Sequence, residues 1–252
     1  MIEITVEALK DYCTCPQLYI NKHIENVHPP RAKTTAGFDG HSHIMIKAQE
    51  AIDNIVGFYF HRLMDDRQVR YQTLYHRWQN EWWSDFTGED IANYIVPVSR
   101  ANMIKINTSF INNLPRFYKK FHKPFRPLVV DKDMIFPSGN ILLSSNIQMA
   151  YPIKEDLIRI VKFIPYKIAP GPPEKDISLL AQACSWLRFY DQKKIEISYY
   201  CMLSCSEYDP FTVSSVNLSM VDNLDKLLRA FENKETIGTI NCAGCEFSRK
   251  EK

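Results

Sequence analysis

Four of the seven cysteines lie in two close pairs near the two ends of the chain. Cys13 and Cys15 form the first pair, and Cys242 and Cys245 form the second. Cysteine thiolates at such short spacings are typical ligands of a bound metal ion. We therefore predict one metal centre that joins both ends of the chain, and the alternative is four reduced thiols without a metal.

The composition favours reduced thiols over disulfides. The N-terminus lacks the basic and apolar regions of a secretory signal, and no stretch approaches about 18 uninterrupted apolar residues. We expect a cytoplasmic protein, or one of the host cytoplasm if it is viral, where disulfides are disfavoured. The 31 basic and 29 acidic residues nearly balance. Net charge therefore does not indicate whether the protein binds nucleic acid, and local patches of charge matter more.

Hydrophobic patterns indicate one domain over residues 1–252 in three parts. Residues 1–125 are predicted to be mainly helical, residues 126–220 to form the sheet core, and residues 221–252 to form a last helix and the cysteine tail. Thr5 is predicted to cap the first helix. The order of helices, three strands, a helix, two strands and a helix is typical of an α/β fold.

Five short motifs follow one another along the chain. They are Thr5 before Tyr12-x-x-Cys15-Pro16-x-x-Tyr19, Gly37-x-x-x-His41, a strand–turn–strand–strand block over 129–164, Gln182 in the next helix, and Cys242-x-x-Cys245-x-Phe247. In this order they resemble the RecB-like branch of the PD-(D/E)XK nuclease superfamily, in particular the CRISPR-associated RecB-like exonucleases and the AddB nuclease domain. The resemblance implies a restriction-endonuclease-like core, in which helices flank a mixed β-sheet after an N-terminal helical insertion.

The resemblance also implies where catalytic groups should lie. The family needs carboxylates that hold Mg²⁺ or Mn²⁺ and a lysine beside the attacking water. Here Gln148 occupies the position of the first metal aspartate, Lys162 that of the second carboxylate, and Ile164 that of the lysine. His41 matches the family's metal-binding histidine, and Gln182 matches a glutamine that positions the site. We therefore predict a nuclease fold that has lost its active site.

Relocated ligands are the alternative to a lost site. Asp131 and Asp133 lie two residues apart on one strand, so their side chains are expected on the same face. Asp131 also matches an acidic residue that is frequent in the family. Together with His41, the two aspartates would hold Mg²⁺ or Mn²⁺ in an active enzyme. Otherwise they belong to a solvated strand face, and Gln182 is a buried amide with a backbone partner.

The resemblance also gives the cysteines a specific role. Relatives with this opening carry a 4Fe–4S cluster bound by one N-terminal and three C-terminal cysteines. Cys15, Cys242 and Cys245 match three of those positions, and Cys13 replaces the missing fourth by its proximity. This set of four thiolates suits a 4Fe–4S cluster or Zn²⁺. Cys184, Cys201 and Cys205 are predicted to be core or near-core residues.

DNA is the predicted partner. The basic residues predicted to line the former substrate groove are Lys119, Lys120, Lys123, Arg126, Lys162 and Lys167. The predicted function is that of a DNA-binding pseudo-nuclease in DNA replication, recombination or repair, in the setting of a virus or mobile element. The alternatives are an active metal-dependent DNA exonuclease with relocated carboxylates and a scaffold protein. Trp78, Trp82 and Trp83 are predicted either to pack in the core or to stack on single-stranded bases.

Overall fold

The structure is a computed structural model that describes residues 1–26, 40–84, 100–122, 125–190, 194–214 and 219–235, with residues 40–43, 46, 219 and 220 described by backbone alone. Within these ranges the α-helices are α1 (Val6–Thr14), α2 (Pro16–Tyr19), α3 (Gly40–Met64), α4 (Tyr71–Trp83), α5 (Arg100–Phe121), α6 (Ile177–Phe189) and α7 (Ser219–Glu232). The strands are β1 (Ile2–Thr5), β2 (Val129–Ser138), β3 (Ile141–Lys154), β4 (Leu157–Ile164), β5 (Lys194–Cys201), β6 (Ser206–Glu207) and β7 (Phe211–Ser214). A π-helical turn, Ile20–Ile24, follows α2, and a short 3-10 helix, Pro173–Lys175, precedes α6.

These strands form one open mixed sheet of seven strands. The strand β3 pairs with β2 along one edge. Along its other edge, β3 pairs in parallel with β1 over 141–144 and antiparallel with β4 from 149 onwards. The strand β5 runs parallel to β4, and both β6 and β7 pair antiparallel with β5. A mixed sheet flanked by helices confirms the predicted α/β class, and the described residues before β2 include five α-helices.

The edge of β3 between β1 and β4 has a gap. Among the described strands, none pairs with residues 145–148 on that edge. Backbone donors and acceptors at such a place need other partners. We call this stretch the sheet gap, and it is central to the site described below.

The first strand is a difference from the sequence prediction. Residues 1–125 were expected to be mainly helical, but Ile2–Thr5 joins the sheet beside residues 141–144. Four residues are too few for a reliable alternating pattern, and the partner strand is far away in sequence. The predicted cap is confirmed, because the Thr5 hydroxyl accepts a hydrogen bond from the Ala8 amide at 3.1 Å.

Helices cover both faces of the sheet. Helices α3, α4 and α5 pack on one face against Val161, Phe163 and Tyr200. Helix α6 packs on the other face against Ile160 and Ile164, and α1 and α7 join it near β1. Trp78 and Trp82 are fully buried beneath α5, which confirms their prediction as core residues, whereas Trp83 is 37% exposed and lies outside the core. No helix within the described ranges combines the length and apolar character that a membrane crossing requires.

Candidate functional site

Two glutamine side chains close the sheet gap. The Gln148 Oε1 atom accepts a hydrogen bond from the Phe163 amide at 2.7 Å, and Gln49 Nε2 donates to the Phe163 carbonyl at 2.9 Å. Both glutamines also donate to Asp53 Oδ1, Gln49 at 2.7 Å and Gln148 through a very short contact. Gln148 therefore replaces part of a missing strand ladder, and both ends of its amide are in use.

Asp53 is, with Gln49, His61 and Asp176, one of the site residues that the sequence reasoning missed. Partial burial raises the pKa of Asp53 to about 6, and the negative charge of Asp131 adds to this increase. The hydrogen bonds from Gln49 and Gln148 and the positive charge of Lys162 act in the opposite direction and lower the pKa. Because the residue as a whole is exposed, solvent screens part of this effect. The available signal was a row of polar or small residues spaced by four on a largely apolar helix, namely Gln49, Asp53, Gly57 and His61.

Asp131 lies beside this row in a conformation that is rare for its residue type. Its φ is +46°, and it stands opposite Gln148 where the ladder between β2 and β3 is interrupted. His61 Nε2 lies 3.2 Å from Asp131 Oδ2. Burial raises the pKa of Asp131, while the neighbouring His61 acts to lower it. A Cβ atom at Gly57 would lie 2.5 Å from Asp131 Oδ2, so the glycine makes room for this carboxylate.

The pairing of Gly57 with Asp131 leads to a prediction about stability. Alanine in a helix interior normally stabilises by about 1 kcal/mol over glycine. We expect Gly57→Ala to give no such gain in the wild-type chain, because the new methyl group displaces the Asp131 carboxylate. In an Asp131→Gly background, which suits the positive φ, we expect the gain of about 1 kcal/mol to appear. Urea denaturation of the four proteins of this double-mutant cycle measures the coupling, and additive effects would contradict it.

Lys162 is held by an aspartate at the start of α6. Its Nζ atom donates to Asp176 Oδ2 at 2.9 Å, and Lys10 Nζ donates to Asp176 Oδ1 at 2.9 Å. The Tyr199 hydroxyl donates to Asp176 Oδ2 at 2.8 Å, and the Ser178 amide donates to Oδ1 at 2.8 Å. Burial opposes ionisation of Asp176, but the charges of the two lysines outweigh it and hold its pKa well below its usual range. Lys162 is therefore engaged within the protein.

Gln182 has the buried amide role that was one of its two interpretations. It is buried on α6, and its Nε2 atom donates to the Asn146 carbonyl at 2.6 Å, inside the sheet gap. The side-chain amide of Asn146 in turn donates from Nδ2 to Asp133 Oδ1 at 3.0 Å. A third side-chain amide thus stabilises the same gap. The backbone of His41 lies in the first turn of α3, and its side chain is outside the described part.

A metal site of relocated ligands is not assembled by the described side chains. Among them, no group of three histidine, cysteine, aspartate or glutamate residues converges in a way that could hold a metal ion. Asp53, Asp131 and His61 come closest to such a set, because the first two interact electrostatically and the last two are in contact. Hydrogen bonds from Gln49 and Gln148 occupy Asp53 Oδ1.

The cysteine centre remains a prediction. Cys13 is half-buried at the end of α1, burial raises the pKa of its thiol, and Cys15 is buried at the start of α2. Cys242 and Cys245 lie outside the described residues. The Tyr12 hydroxyl donates to the Glu235 carbonyl at 2.7 Å, which places the end of the described chain beside α1. From there, seven residues span up to about 25 Å, so the chain is long enough for Cys242 to return to the first pair.

The basic residues predicted to bind DNA fall into two groups. Lys120 pairs with Glu207, Arg126 with Asp66 at 2.9 Å, and Lys162 with Asp176. Lys119 and Lys167 are exposed, and no ion pair involves either of them within the part of the chain that the structure describes. Lys123 lies outside that part. The predicted groove residues therefore differ in how available their charges are, because three of them already form ion pairs within the protein.

A longer basic segment surrounds Lys119. The 40 residues between Asp90 and Asp131 contain no acidic residue and seven basic ones. Most of this segment forms α5, whose exposed side carries Lys105, Arg116 and Lys119. These positions recur at helical spacing on one side, together with the exposed polar residues Thr108 and Asn112. We call Lys105, Arg116 and Lys119 the α5 basic face.

Comparisons with known proteins do not assign the chain to a family. No protein-family model matches the chain, and no curated protein sequence matches it. The resemblance to RecB-like nucleases therefore depends on the motifs given above. Function is argued from the chemistry of the side chains, because a fold alone does not define one.

Proposed function

We propose that this protein binds DNA through the α5 basic face and does not cleave it. The observation that supports the proposal is the acid-free segment that folds into α5 with three basic side chains on its exposed side. Lys105 and Lys119 are 14 positions apart, which corresponds to about 21 Å along a helix. That length matches the phosphates of about six nucleotides of one strand.

The absence of cleavage is argued from the sheet gap. A divalent cation needs several oxygen ligands. At the positions where the resemblance requires carboxylates, Gln148 uses its amide for Phe163 and Asp53, and Lys162 brings a positive charge. A function in replication, recombination or repair, in a virus or mobile element, belongs to this proposal through the resemblance.

A metal-dependent exonuclease is the second candidate. The specific observation in its favour is the proximity of Asp53 and His61 of α3 to Asp131 of β2, beside the sheet gap. A cation there would bind Asp53 through Oδ2 or displace the glutamine hydrogen bonds of Oδ1. The same side chains explain a purely structural role without any cation, and the cleavage experiment below separates the two.

Neutralising the α5 basic face is expected to weaken DNA binding. We expect DNA binding at moderate salt to be about 10- to 100-fold weaker in the triple variant Lys105→Ala, Arg116→Ala, Lys119→Ala. The slope of log affinity against log salt concentration is expected to decrease by an amount that corresponds to about two to three phosphate contacts. Fluorescence anisotropy with a labelled oligonucleotide over a salt series measures both quantities. The matched control is Lys154→Ala, Lys194→Ala, Lys226→Ala, which removes the same charge from other exposed positions. An equal loss in both variants would show that net charge, and not α5, determines binding.

The same labelled DNA tests for cleavage. With Mg²⁺, Mn²⁺ or EDTA, we expect intact DNA on a denaturing gel. Metal-dependent degradation that disappears in both Asp53→Asn and Asp131→Asn would establish the second candidate and overturn the proposal. Neither binding nor cleavage would favour a scaffold that uses the fold for protein contacts.

A further inference from the structure

The loop after β4 presents two large side chains to solvent. Tyr166 is 40% exposed and Ile168 is 79% exposed, with the exposed Lys167 between them. Within the described residues, no hydrogen bond, ion pair or ring contact involves the side chain of Tyr166. Single exposed apolar residues are common on protein surfaces. This loop differs from such residues in the contacts that hold it and in the groups that surround it.

Hydrogen bonds fix the loop to the turn after β5. The Tyr166 carbonyl accepts from the Leu203 amide at 3.3 Å, and the Lys167 carbonyl accepts from the Ser204 hydroxyl at 2.7 Å. Asn113 of α5 donates from Nδ2 to the Leu203 carbonyl at 2.8 Å. The loop, the turn and α5 are thus joined in one chain of contacts. Because the backbone of the loop is held in this way, only the rotamer freedom of the Tyr166 side chain is lost when it binds a ligand.

The loop also lies next to the α5 basic face. Cys205 Sγ, in the same turn, lies 3.0 Å from the Asn113 carbonyl. Burial raises the pKa of the Cys205 thiol, and the positive charge of Arg116 is close enough to act against that increase. Glu207, which follows the same turn, is already paired with Lys120 and Arg159. The turn that holds the Tyr166 loop is therefore in contact with the part of α5 that carries Arg116.

The loop lies at the carboxyl ends of two parallel strands. Strands β4 and β5 run parallel and end together, because Ile164 pairs with Cys201. In open α/β sheets, ligands bind outside the carboxyl ends of strands where the strand order reverses, so this edge shares the strand ends but not the reversal with such sites. The loop with Tyr166 follows β4 at this edge, and the turn that holds it follows β5.

We propose that Tyr166 stacks on an unpaired base of a nucleic acid whose phosphates contact the α5 basic face and Lys167. This inference rests on the proposed function and names the kind of nucleic acid. An aromatic ring stacks on any exposed base, whereas the base faces inside a duplex are covered by their neighbours. The surface therefore prefers single strands, ends or bulges to uninterrupted duplex. The proposed stacking residue is thus Tyr166 of the loop and neither Trp78 nor Trp82, which are buried.

The inference is tested by the binding of a labelled oligonucleotide as a single strand and as a blunt duplex. Stacking of one base contributes about 1–3 kcal/mol, so Tyr166→Ala is expected to weaken single-strand binding by about 5- to 150-fold. Tyr166→Phe keeps the ring and is expected to bind like the wild type. Duplex binding and its salt dependence are expected to stay unchanged in both variants. Tyr208→Ala is the control, since Tyr208 is 36% exposed.

Each other outcome has a definite meaning. If Tyr166→Ala affects neither form, or both equally, the inference is overturned, while a loss in the α5 triple variant still supports the proposed function. A loss in Tyr166→Phe as large as in Tyr166→Ala would assign the effect to the hydroxyl and overturn stacking. If the wild type binds no nucleic acid, both proposals are overturned. Poly-glutamate that competes as well as the single strand would point to an acidic protein partner instead.

Discussion

Asp176→Ala is expected to lower the free energy of unfolding by about 3 kcal/mol, measured by urea denaturation at neutral pH. The carboxylate caps α6 through the Ser178 amide, and such a cap contributes about 1 kcal/mol. It also accepts charge-assisted hydrogen bonds from Lys10 and Lys162, which contribute about 1.5–3 kcal/mol each. The total is smaller than the sum, because both lysine side chains are partly exposed and regain water.

Asp176→Asn separates the cap from the charge. Asparagine is as good a cap as aspartate, so we expect it to retain that contribution and to lose about 2 kcal/mol through its missing charge. The folded protein holds the pKa of Asp176 below its usual value. The stabilisation is therefore fully present above the unfolded pKa of about 3.9 and is lost as the pH falls below it. The difference between wild type and Asp176→Asn should accordingly shrink in acid.

Asp209→Ala is the matched control for Asp176. Asp209 is exposed, and no ion pair involves it among the described residues, so its replacement is expected to change stability little. A loss at Asp209 as large as at Asp176 would mean that general charge, and not the cluster around α6, is responsible. A loss below about 1 kcal/mol in Asp176→Ala would show that only the cap matters.

Local patterns predicted the elements that local physics determines. The Thr5 hydroxyl capped a helix, alternating apolar residues formed the strands over 129–164, and the turn at Gly139 has the positive φ of +57° that glycine adopts easily. Pairings between distant segments were not predictable in this way. The ion pairs of Lys120, Arg126 and Lys162 have partners 87, 60 and 14 residues away.

The sheet gap shows why the candidate site was only partly predictable. The motif alignment placed Gln148 at a metal position, but it gave no partner for its amide. That partner depends on β1 and β4 sharing one edge of β3 and leaving residues 145–148 unpaired between them. Asp53 lies on α3, a helix whose register against the sheet only tertiary packing defines. The motif alignment therefore predicted only that Gln148 lacks a carboxylate, whereas in the structure its amide helps to close the sheet gap by hydrogen bonds.

Gln148→Glu is expected to make the stability of the fold depend strongly on pH. The new carboxylate still accepts from the Phe163 amide, but it faces Asp53 Oδ1 without the donor that the glutamine supplied. Above pH 7, we expect the free energy of unfolding to fall by about 3 kcal/mol, because the charge-assisted hydrogen bond is lost and the two carboxylates repel each other. Two carboxylates that share a site raise one pKa strongly, and Asp53 already titrates at about 6. The folded state then binds more protons than the unfolded state, so stability rises as the pH falls towards about 4.

Two further variants make this pH dependence specific to the pair. Gln148→Leu leaves the Phe163 amide without its partner, and it is expected to cost about 1–3 kcal/mol. Because it also removes a hydrogen bond that lowers the pKa of Asp53, its pH dependence is expected to be stronger than that of the wild type but weaker than that of Gln148→Glu, which adds a second carboxylate. When Asp53→Asn is combined with Gln148→Glu, the amide and the carboxylate exchange places. The new amide on α3 then donates to the new carboxylate on β3, and most of the loss is expected to be recovered. Urea denaturation at pH 5 and pH 8 measures all of these effects. If the exchanged pair is no more stable than Gln148→Glu alone, the contact between Gln148 and Asp53 does not hold the sheet gap closed.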